Sequence, residues 1–291
     1  MEYILHIIIM FAIYIILVLS ANLPIGMANL LTMCQAAFYG IGAYIGTFFL
    51  MQYNISFLLI AAIVMVATGA FSLIISLASV KLKDDYFILA TLGFQMIVYT
   101  ILYNWTDVTN GPYGIPGIPS IKLFGTLSLD AIWEYAVLAV VLAVAVAYLF
   151  KIIKYSPFGR VLKAIRYDEL SVNALGRNTV KFKVLTFFLS AAFSGLAGVV
   201  YASYVSYIDP TSFTLDESIF IITALFLGGI GNIKGPIIGA LFVILLPELL
   251  RFVGMPDAIA ANMRQIVYGL ALIVVMFTRS QGFWGENSSR V

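Results

Sequence analysis

The sequence predicts an all-α, polytopic integral membrane protein of about 8–10 transmembrane helices, with broken or re-entrant segments among them. Three observations carry this. Of 291 residues, 62% are hydrophobic and 10% charged, where a soluble domain carries about 25% charged residues. The mean hydropathy is +1.03. From Tyr3 to Val80 there is no Asp, Glu, Lys or Arg, a run well beyond the roughly 7–15-residue apolar core of a signal peptide. No A-x-A-like cleavage site is followed by a polar mature domain, so the apolar N-terminus is expected to remain as a helix. The runs are continuous rather than alternating, which argues against a closed β-barrel.

Taken in order, nine segments have the length and apolarity of membrane helices: 3–21, 27–52, 55–80, 86–104, 131–152, 183–207, 215–230, 236–252 and 263–279. The second and third are long enough to be tilted, broken or preceded by a re-entrant piece. The seventh is short and runs into Gly228-Gly229-Ile230-Gly231-Asn232, so a full span is not expected of it. The whole chain, 1–291, reads as one transmembrane domain.

Orientation follows from Lys and Arg, which favour cytoplasmic loops. Eight of the sixteen sit between Lys151 and Lys183, and the loop of about 153–182 is therefore expected in the cytoplasm. Counting helices from there puts Lys81, Lys83, Lys234, Arg279 and the C-terminus inside. The N-terminus and the loop of about 105–130 fall outside, with Arg251 and Arg264 as the discord.

Several function classes are disfavoured. A net charge of +2 without interleaved aromatic and basic residues does not suit nucleic acid. Cys34 is the only cysteine and His6 the only histidine, which leaves no internal disulfide and no Cys- or His-clustered metal site. A buried thiol and a packing or interfacial imidazole are expected. No set of nucleophile, base or metal ligands suggests an enzyme. The phosphate loop G-x-x-x-x-G-K-[ST] is absent, so any ATP would be hydrolysed by another subunit. No ionisable residue lies at the centre of a predicted helix, Glu248 and Arg251 coming nearest. Ion-coupled transport normally needs such groups, although Na⁺ sites of carbonyls and hydroxyls stay open.

Glycines cluster in two apolar segments, one with Gly40, Gly42 and Gly46, the other with Gly228, Gly229, Gly231, Gly235 and Gly239. Gly42-x-x-x-Gly46 and Gly235-x-x-x-Gly239 are small-residue faces that let helix backbones approach. Close structural packing is one reading. The other is that broken helices line a pathway, with half-helix N-termini available to anchor a substrate carboxylate. In the 105–130 loop, Asn110-Gly111-Pro112, Gly114, Pro116-Gly117 and Pro119 specify successive turns. A plain connector fits this composition. So does a rigid loop tipped by Trp105, Tyr113 and Ile118, in which Trp105, Asn110, Gly111, Tyr113, Gly114 and Gly117 receive an external partner.

Within the basic stretch, Ser156-Pro157 reads as a helix start. Val161, Leu162 and Ile165 alternate with Arg160, Lys163 and Arg166, and the basic stretch 151–166 is expected to lie on anionic lipid headgroups. Asp168 can cap a second short helix from Glu169 to Leu175, closed by Gly176. Leu170 and Ala174 share one face of it. This acidic-to-neutral piece suits a groove on another protein better than a membrane surface.

SPFGRVLKAIRYDELSVNALGRNTVKFKVLTFFLSAAFSGLAGVVYASYVSYIDPTSFT, with LGGIGNIKGPIIGALFVILLPELLR, AAFYGIGAY and TNGPYGIPGIP, closely resembles the permease subunits of ABC importers for branched-chain amino acids, of the LivM type, over about residues 25–279. The resemblance implies a prokaryotic inner-membrane subunit, with no cofactor of its own. It further implies a second, LivH-like permease, two cytoplasmic ATPases carrying ATP and Mg²⁺, and an external substrate-binding protein. Asp168, Glu169, Leu170, Ala174, Leu175 and Gly176 then match the coupling helix that docks on the ATPase. Asn110 stands where the family often has the first of two glycines; asparagine tolerates left-handed backbone angles, so little consequence is expected. Branched-chain amino acids are the expected cargo. Urea, short amides, a sugar or a nucleoside are alternatives on the same architecture, and an ion-coupled secondary transporter is the alternative of another class.

Overall fold

A computed structural model of the chain describes residues 2–53, 55–79, 82, 84–123, 127–129, 131–252, 269, 270 and 273. The ninth expected helix, apart from three of its residues, and Lys81, Lys83, Arg264, Arg279 and the C-terminus lie outside them.

The main helices are α1 (Glu2–Asn22), α2 (Gln35–Gln52), α3 (Phe57–Ser79), α4 (Asp84–Asn104), α5 (Thr106–Thr109), α6 (Ile132–Tyr155), α7 (Pro157–Tyr167), α8 (Glu169–Ala174), α9 (Thr179–Val205), α10 (Leu215–Gly228) and α11 (Lys234–Phe252). Among the described residues, strand is confined to two-residue pieces, β1 (Ile115–Pro116), β2 (Lys122–Leu123), β3 (Leu127–Ser128) and β4 (Tyr207–Ile208). β1 pairs antiparallel with β4, and β2 with β3. Among the described residues, five helical segments are long and apolar enough to cross a membrane: Glu2–Met27, Phe57–Ala78, Asp85–Asn104, Ile132–Tyr155 and Thr179–Val205. The chain is an all-α polytopic membrane protein.

Two segments depart from a plain span, as the sequence suggested for both. Pro24 ends the regular course of α1, which loosens into a π-helical turn, Leu23–Met27. The chain leaves that turn at Asn29, whose φ is +55°. Residues 30–34 then pass back through the bundle, with Leu30, Thr32 and Cys34 buried. The segment 27–52, long enough to be tilted, broken or preceded by a re-entrant piece, is thus an irregular piece followed by the 18 residues of α2. The seventh segment is the 14-residue α10, about 21 Å at 1.5 Å per residue. That is short of the roughly 30 Å hydrocarbon core. It turns back at Gly229 and Gly231, at φ +110° and +83°, into α11, making a helical hairpin.

The core is organised around α9, which packs against α1, α2 and α3. Its middle is buried without interruption from Ser190 to Val200. Glycine makes this approach possible. A Cβ on Gly42 of α2 would fall 2.3 Å from the Cα of Gly195, one on Gly195 would fall 2.5 Å from the side chain of Thr68 on α3, and one on Gly198 would fall 2.3 Å from the Tyr39 carbonyl. In a bilayer such backbone-to-backbone packing replaces hydrophobic exclusion as the source of association.

The bundle has two unlike ends. At the basic end lie the close of α6, then α7, α8, the start of α9, the close of α1 and the hairpin tip. At the opposite end lie β1 and β4, the 3₁₀ turn Pro210–Phe213, and contacts from the start of α1 to the later helices. There the Tyr14 hydroxyl donates to Glu217 at 2.7 Å and His6 Nδ1 lies 2.7 Å from the Tyr204 hydroxyl. His6 packs as expected, tilted against the Tyr204 ring at 5.7 Å.

Gly42→Ala should lower the thermal midpoint of the detergent-solubilised protein, by overpacking worth about 1–3 kcal/mol. Gly93, whose Cβ position is open, serves as the control: Gly93→Ala should be neutral or gain up to about 1 kcal/mol from helix propensity.

Candidate functional site

α7 and α8 form where the sequence places them. Ser156 accepts from the Gly159 amide at 3.2 Å with Pro157 at the first helical position. Asp168 accepts from the Leu170 and Ser171 amides at 2.9 and 3.1 Å. Hydrogen bonds from Ser171, side chain first and then amide, hold the Asp168 carboxyl below its ordinary value of 3.8. Gly176 closes the helix at φ +79°, a left-handed conformation that glycine adopts without strain.

α8 divides into an anchored face and a free one. Val172 is buried. Glu169 turns inward: one carboxylate oxygen accepts from Lys183 Nζ at 2.6 Å and the other from the Thr179 hydroxyl at 2.8 Å. Thr179 also donates to Asn173 at 3.1 Å. These contacts tie α8 to the first turns of α9. On the free face Leu170 is 81% and Leu175 83% exposed, with Ala174 exposed between them. Beside this face α7, α8 and α9 border an open groove of about 480 Å³. Its apolar wall includes Phe158, Val161, Val172 and Phe182, and Arg160 and Arg177 stand at its rim. Phe158 and Phe182 stack at 5.5 Å.

The basic residues of this region do not all face outward. Lys151, Arg160 and Lys163 are exposed, as the lipid-headgroup reading requires. Lys154 and Arg166 depart from it and reach into the bundle, where Lys154 Nζ donates to the Gly231 carbonyl at 2.7 Å and Arg166 Nη1 to the Gly26 carbonyl at 2.6 Å. Helix breaks expose those carbonyls, and neither break could be located from the charge pattern alone.

A second polar feature was missed in the sequence because it carries no charge. α2 begins deep in the bundle, and its first turn is served by side chains of other helices. The Ala36 amide donates to Ser218 at 2.9 Å and the Ala37 amide to Gln95 at 2.6 Å, while the Cys34 amide before them donates to the nearby Thr32 at 3.4 Å. Gln35 Nε2 donates to Ser20 and Ser190 at 3.1 and 3.0 Å, and the hydroxyls of Ser20 and Ser194 lie 2.8 Å apart. Gln95 Nε2 reaches the Phe213 carbonyl at 2.9 Å. The available signal was the pair of glutamines standing in otherwise apolar segments. The amide groups at this half-helix N-terminus, considered above for a substrate carboxylate, are engaged within the chain.

The eight glycines fall into two groups. On α2, Gly42 and Gly46 face α9, meeting Gly195 and Val199, while Gly40 faces Phe213. In the hairpin, a Cβ on Gly228 would lie 1.9 Å from the Gly235 carbonyl oxygen, one on Gly235 2.3 Å from that of Gly229, and one on Gly239 clashes with the Ala224 carbonyl. Gly229 and Gly231 supply the reversal. All but Gly40 and Gly46 are therefore either in backbone-to-backbone contact or in a positive-φ turn.

In the 105–130 loop, Asn110, Gly111, Gly114 and Gly117 all have positive φ, from +53° to +73°. The Asn110 side chain donates to the Gly114 carbonyl at 2.7 Å. Gly114 has no room for a side chain, since a Cβ would lie 2.5 Å from the Ile208 carbonyl oxygen. Trp105 and Tyr113 are exposed, Tyr113 at 81%, but Ile118 is buried at 3%. Ile118 is not at the loop's tip, because the β1–β4 pairing and its amide's bond to the Ser206 carbonyl draw it under the bundle's edge.

Comparison with known proteins follows the same lines. The model of the family described as "Branched-chain amino acid transport system / permease component" matches residues 3–276. The chain is 32% identical to the high-affinity branched-chain amino acid transport system permease protein LivM of Escherichia coli, over 93% of this chain and 67% of that one. It is 25% identical to the corresponding LivH of Salmonella typhimurium, over 94% and 91%. It is 27% identical to the guanosine ABC transporter permease protein NupQ of Bacillus subtilis, over 61% and 58%. No solved structure gives a significant match.

Glu169→Gln should leave Lys183, only 7% exposed, without a charged partner and cost about 1–3 kcal/mol. Amide exchange in α8 should rise, and Lys183→Met should recover most of it in the double variant. The Asp168 cap should behave in the opposite pH sense to a cation. Its folded value is lowered, so its contribution is complete above 3.8 and is lost only as pH falls through the folded value. Exchange protection of Leu170 and Ser171, corrected for intrinsic rate, should therefore not change between pH 5 and 7.

Proposed function

The chain belongs to the branched-chain amino acid transport system permease family, and on that premise we propose that it is the permease subunit of an ATP-driven importer whose cargo is a branched-chain or similarly apolar amino acid. Its neighbours in this reading are a second, LivH-like permease, two cytoplasmic ATPases and an external binding protein. ATP and Mg²⁺ belong to the ATPases, and this chain carries no cofactor. The chain spans a prokaryotic inner membrane with the basic end in the cytoplasm, the N-terminus outside and the C-terminus inside.

The observation that carries the proposal is the two-faced α8. An apolar pair more than four-fifths exposed, on a helix outside the membrane-spanning segments, is costly in water and belongs against a protein surface. The same helix is joined to α9 by the Glu169–Lys183 pair, and α9 continues into the glycine crossing with α2. Movement imposed on Leu170, Ala174 and Leu175 by an ATPase thus has a short mechanical route into the bundle. Asp168 and Gly176 set the length of the docking helix, and Glu169 fastens it. The outer loop, with Trp105 and Tyr113 presented on turns fixed by Asn110, Gly111, Gly114 and Gly117, is the docking surface for the binding protein. The hydroxyls and amides around Gln35 and the glycine breaks border the pathway, and a lining that is mostly uncharged suits low-affinity passage.

A nucleoside as cargo is the second reading, favoured by the similarity to the guanosine permease. Binding of leucine against guanosine by the cognate external protein separates the two.

The test of the role is uptake by proteoliposomes holding this chain, its partner permease and the ATPases. Leucine uptake should need ATP and the binding protein. Uptake driven by an ion gradient without the ATPases would overturn the importer reading. Leu170→Glu with Leu175→Glu should insert normally yet lose at least about 90% of ATP-dependent uptake or of bound ATPase, since hot-spot truncations at such contacts cost 2 kcal/mol or more. Unaltered uptake would remove α8 as the docking helix.

A further inference from the structure

Three chain reversals meet at the basic end: the π-turn that ends α1, the tip of the α10–α11 hairpin, and the corner between α6 and α7. The first two touch directly, since a Cβ on Gly26 would lie 1.9 Å from Asn22 Oδ1 and 2.7 Å from the Gly231 nitrogen. Asn22 is buried and spans the contact with both ends of its amide. It accepts from the Gly231 amide at 2.9 Å and donates to the Asn232 carbonyl at 2.7 Å. Asn232 in turn accepts from the Gly235 amide at 2.6 Å, capping α11.

The carbonyls of Gly26 and Gly231 lie just past the C-terminal ends of α1 and α10. Main-chain carbonyls in such turns lie outside the regular helical ladder, and inside a bundle they need a donor from elsewhere. Each receives one cation from the third reversal: Lys154, from the last turn of α6, binds Gly231, and Arg166, from the last turn of α7, binds Gly26. Arg166 stands two residues before Asp168, the cap of α8. Displacement of α8 therefore reaches Arg166 before any other contact with the membrane-embedded helices on the α7 side.

We infer that Lys154 and Arg166 are positioning residues for transport, a latch that ties the broken end of α1 and the hairpin tip to α7 and hands them the movement of α8. This rests on the reading that α8 receives force from an ATPase. It adds a second route from the same lever: the Glu169–Lys183 pair moves α9, whereas the latch moves the two interrupted elements. The donors are charged and the acceptors are main-chain, so the latch needs a cation of the right reach rather than a particular acceptor side chain.

The experiment uses the assembled complex in proteoliposomes with its binding protein, leucine as probe, and parallel measurement of uptake and ATP hydrolysis. In Lys154→Gln with Arg166→Gln, the complex should assemble while ATP hydrolysed per leucine rises about tenfold, the shift expected when charge-assisted hydrogen bonds are lost from a two-state element. Lys154→Arg and Arg166→Lys, which keep the charge, should hold the ratio within about twofold of wild type. A wild-type ratio in the double Gln variant overturns the latch. So does a parallel fall of uptake and hydrolysis in proportion to lost complex, which marks a structural role only. If the double variant does not assemble, the single Gln variants are judged by the same ratio, and loss of complex in both also overturns it. Absence of ATP-dependent uptake in the wild type defeats the importer reading itself, before any variant is compared.

Discussion

Inside an apolar bundle, a main-chain N–H or C=O without a partner costs several kcal/mol, and regular helices avoid this by pairing their own groups. This chain interrupts two of its helical segments within the bundle, so the groups freed at each break must be answered by other elements. Ser218 and Gln95 answer the amides that open α2. Asn22, Lys154 and Arg166 answer the groups at the end of α1 and the hairpin tip. The answering side chains come from α1, α4, α6, α7 and α10. The breaks consequently lock helices distant in sequence into one arrangement, and the buried Asn22, Gln95 and Ser218 follow from that need.

α9 is the element through which the rest communicates. Its first turns hold Glu169 through Lys183 and Thr179. Its middle supplies Ser190 and Ser194 to the polar cluster at the start of α2, and Gly195 and Gly198 to the crossing with α2 and α3. Atoms packed at backbone distance cannot slide independently. A tilt of α9 is therefore transmitted to α2 and α3 rather than absorbed by side chains. The family's description as a transport permease fits an interior built this way, with stiff crossings and breaks satisfied by side chains of other helices.

Parts of the candidate site were legible in the sequence because they depend on neighbours in the chain. The Ser156-Pro157 start, the Asp168 cap and the Gly176 stop are local signals, and α7 and α8 appear where those signals put them. Asn110 takes the left-handed backbone that asparagine tolerates. Other parts were not legible. Glu169 was expected among docking residues with no hint of its bond to Lys183, fourteen positions on. Lys154 and Arg166 read as headgroup cations because their inward targets are carbonyls, which every residue type carries. Ile118 read as exposed because a turn-rich loop shows no periodicity from which burial can be inferred.

What the sequence determined by itself is the class of the protein, the existence of most of its helices, the position of its polar excursion and the two short helices within it. Those properties follow from composition, from runs of apolar residues and from capping signals that act over a few residues. The tertiary structure decided which groups answer the ends of α1 and α10, which cations turn inward, which glycines meet backbone, and which face of α8 is left free. Each of these depends on a donor, an acceptor or a surface supplied by a segment tens to hundreds of positions away, and pairings over that distance leave no trace in local residue spacing.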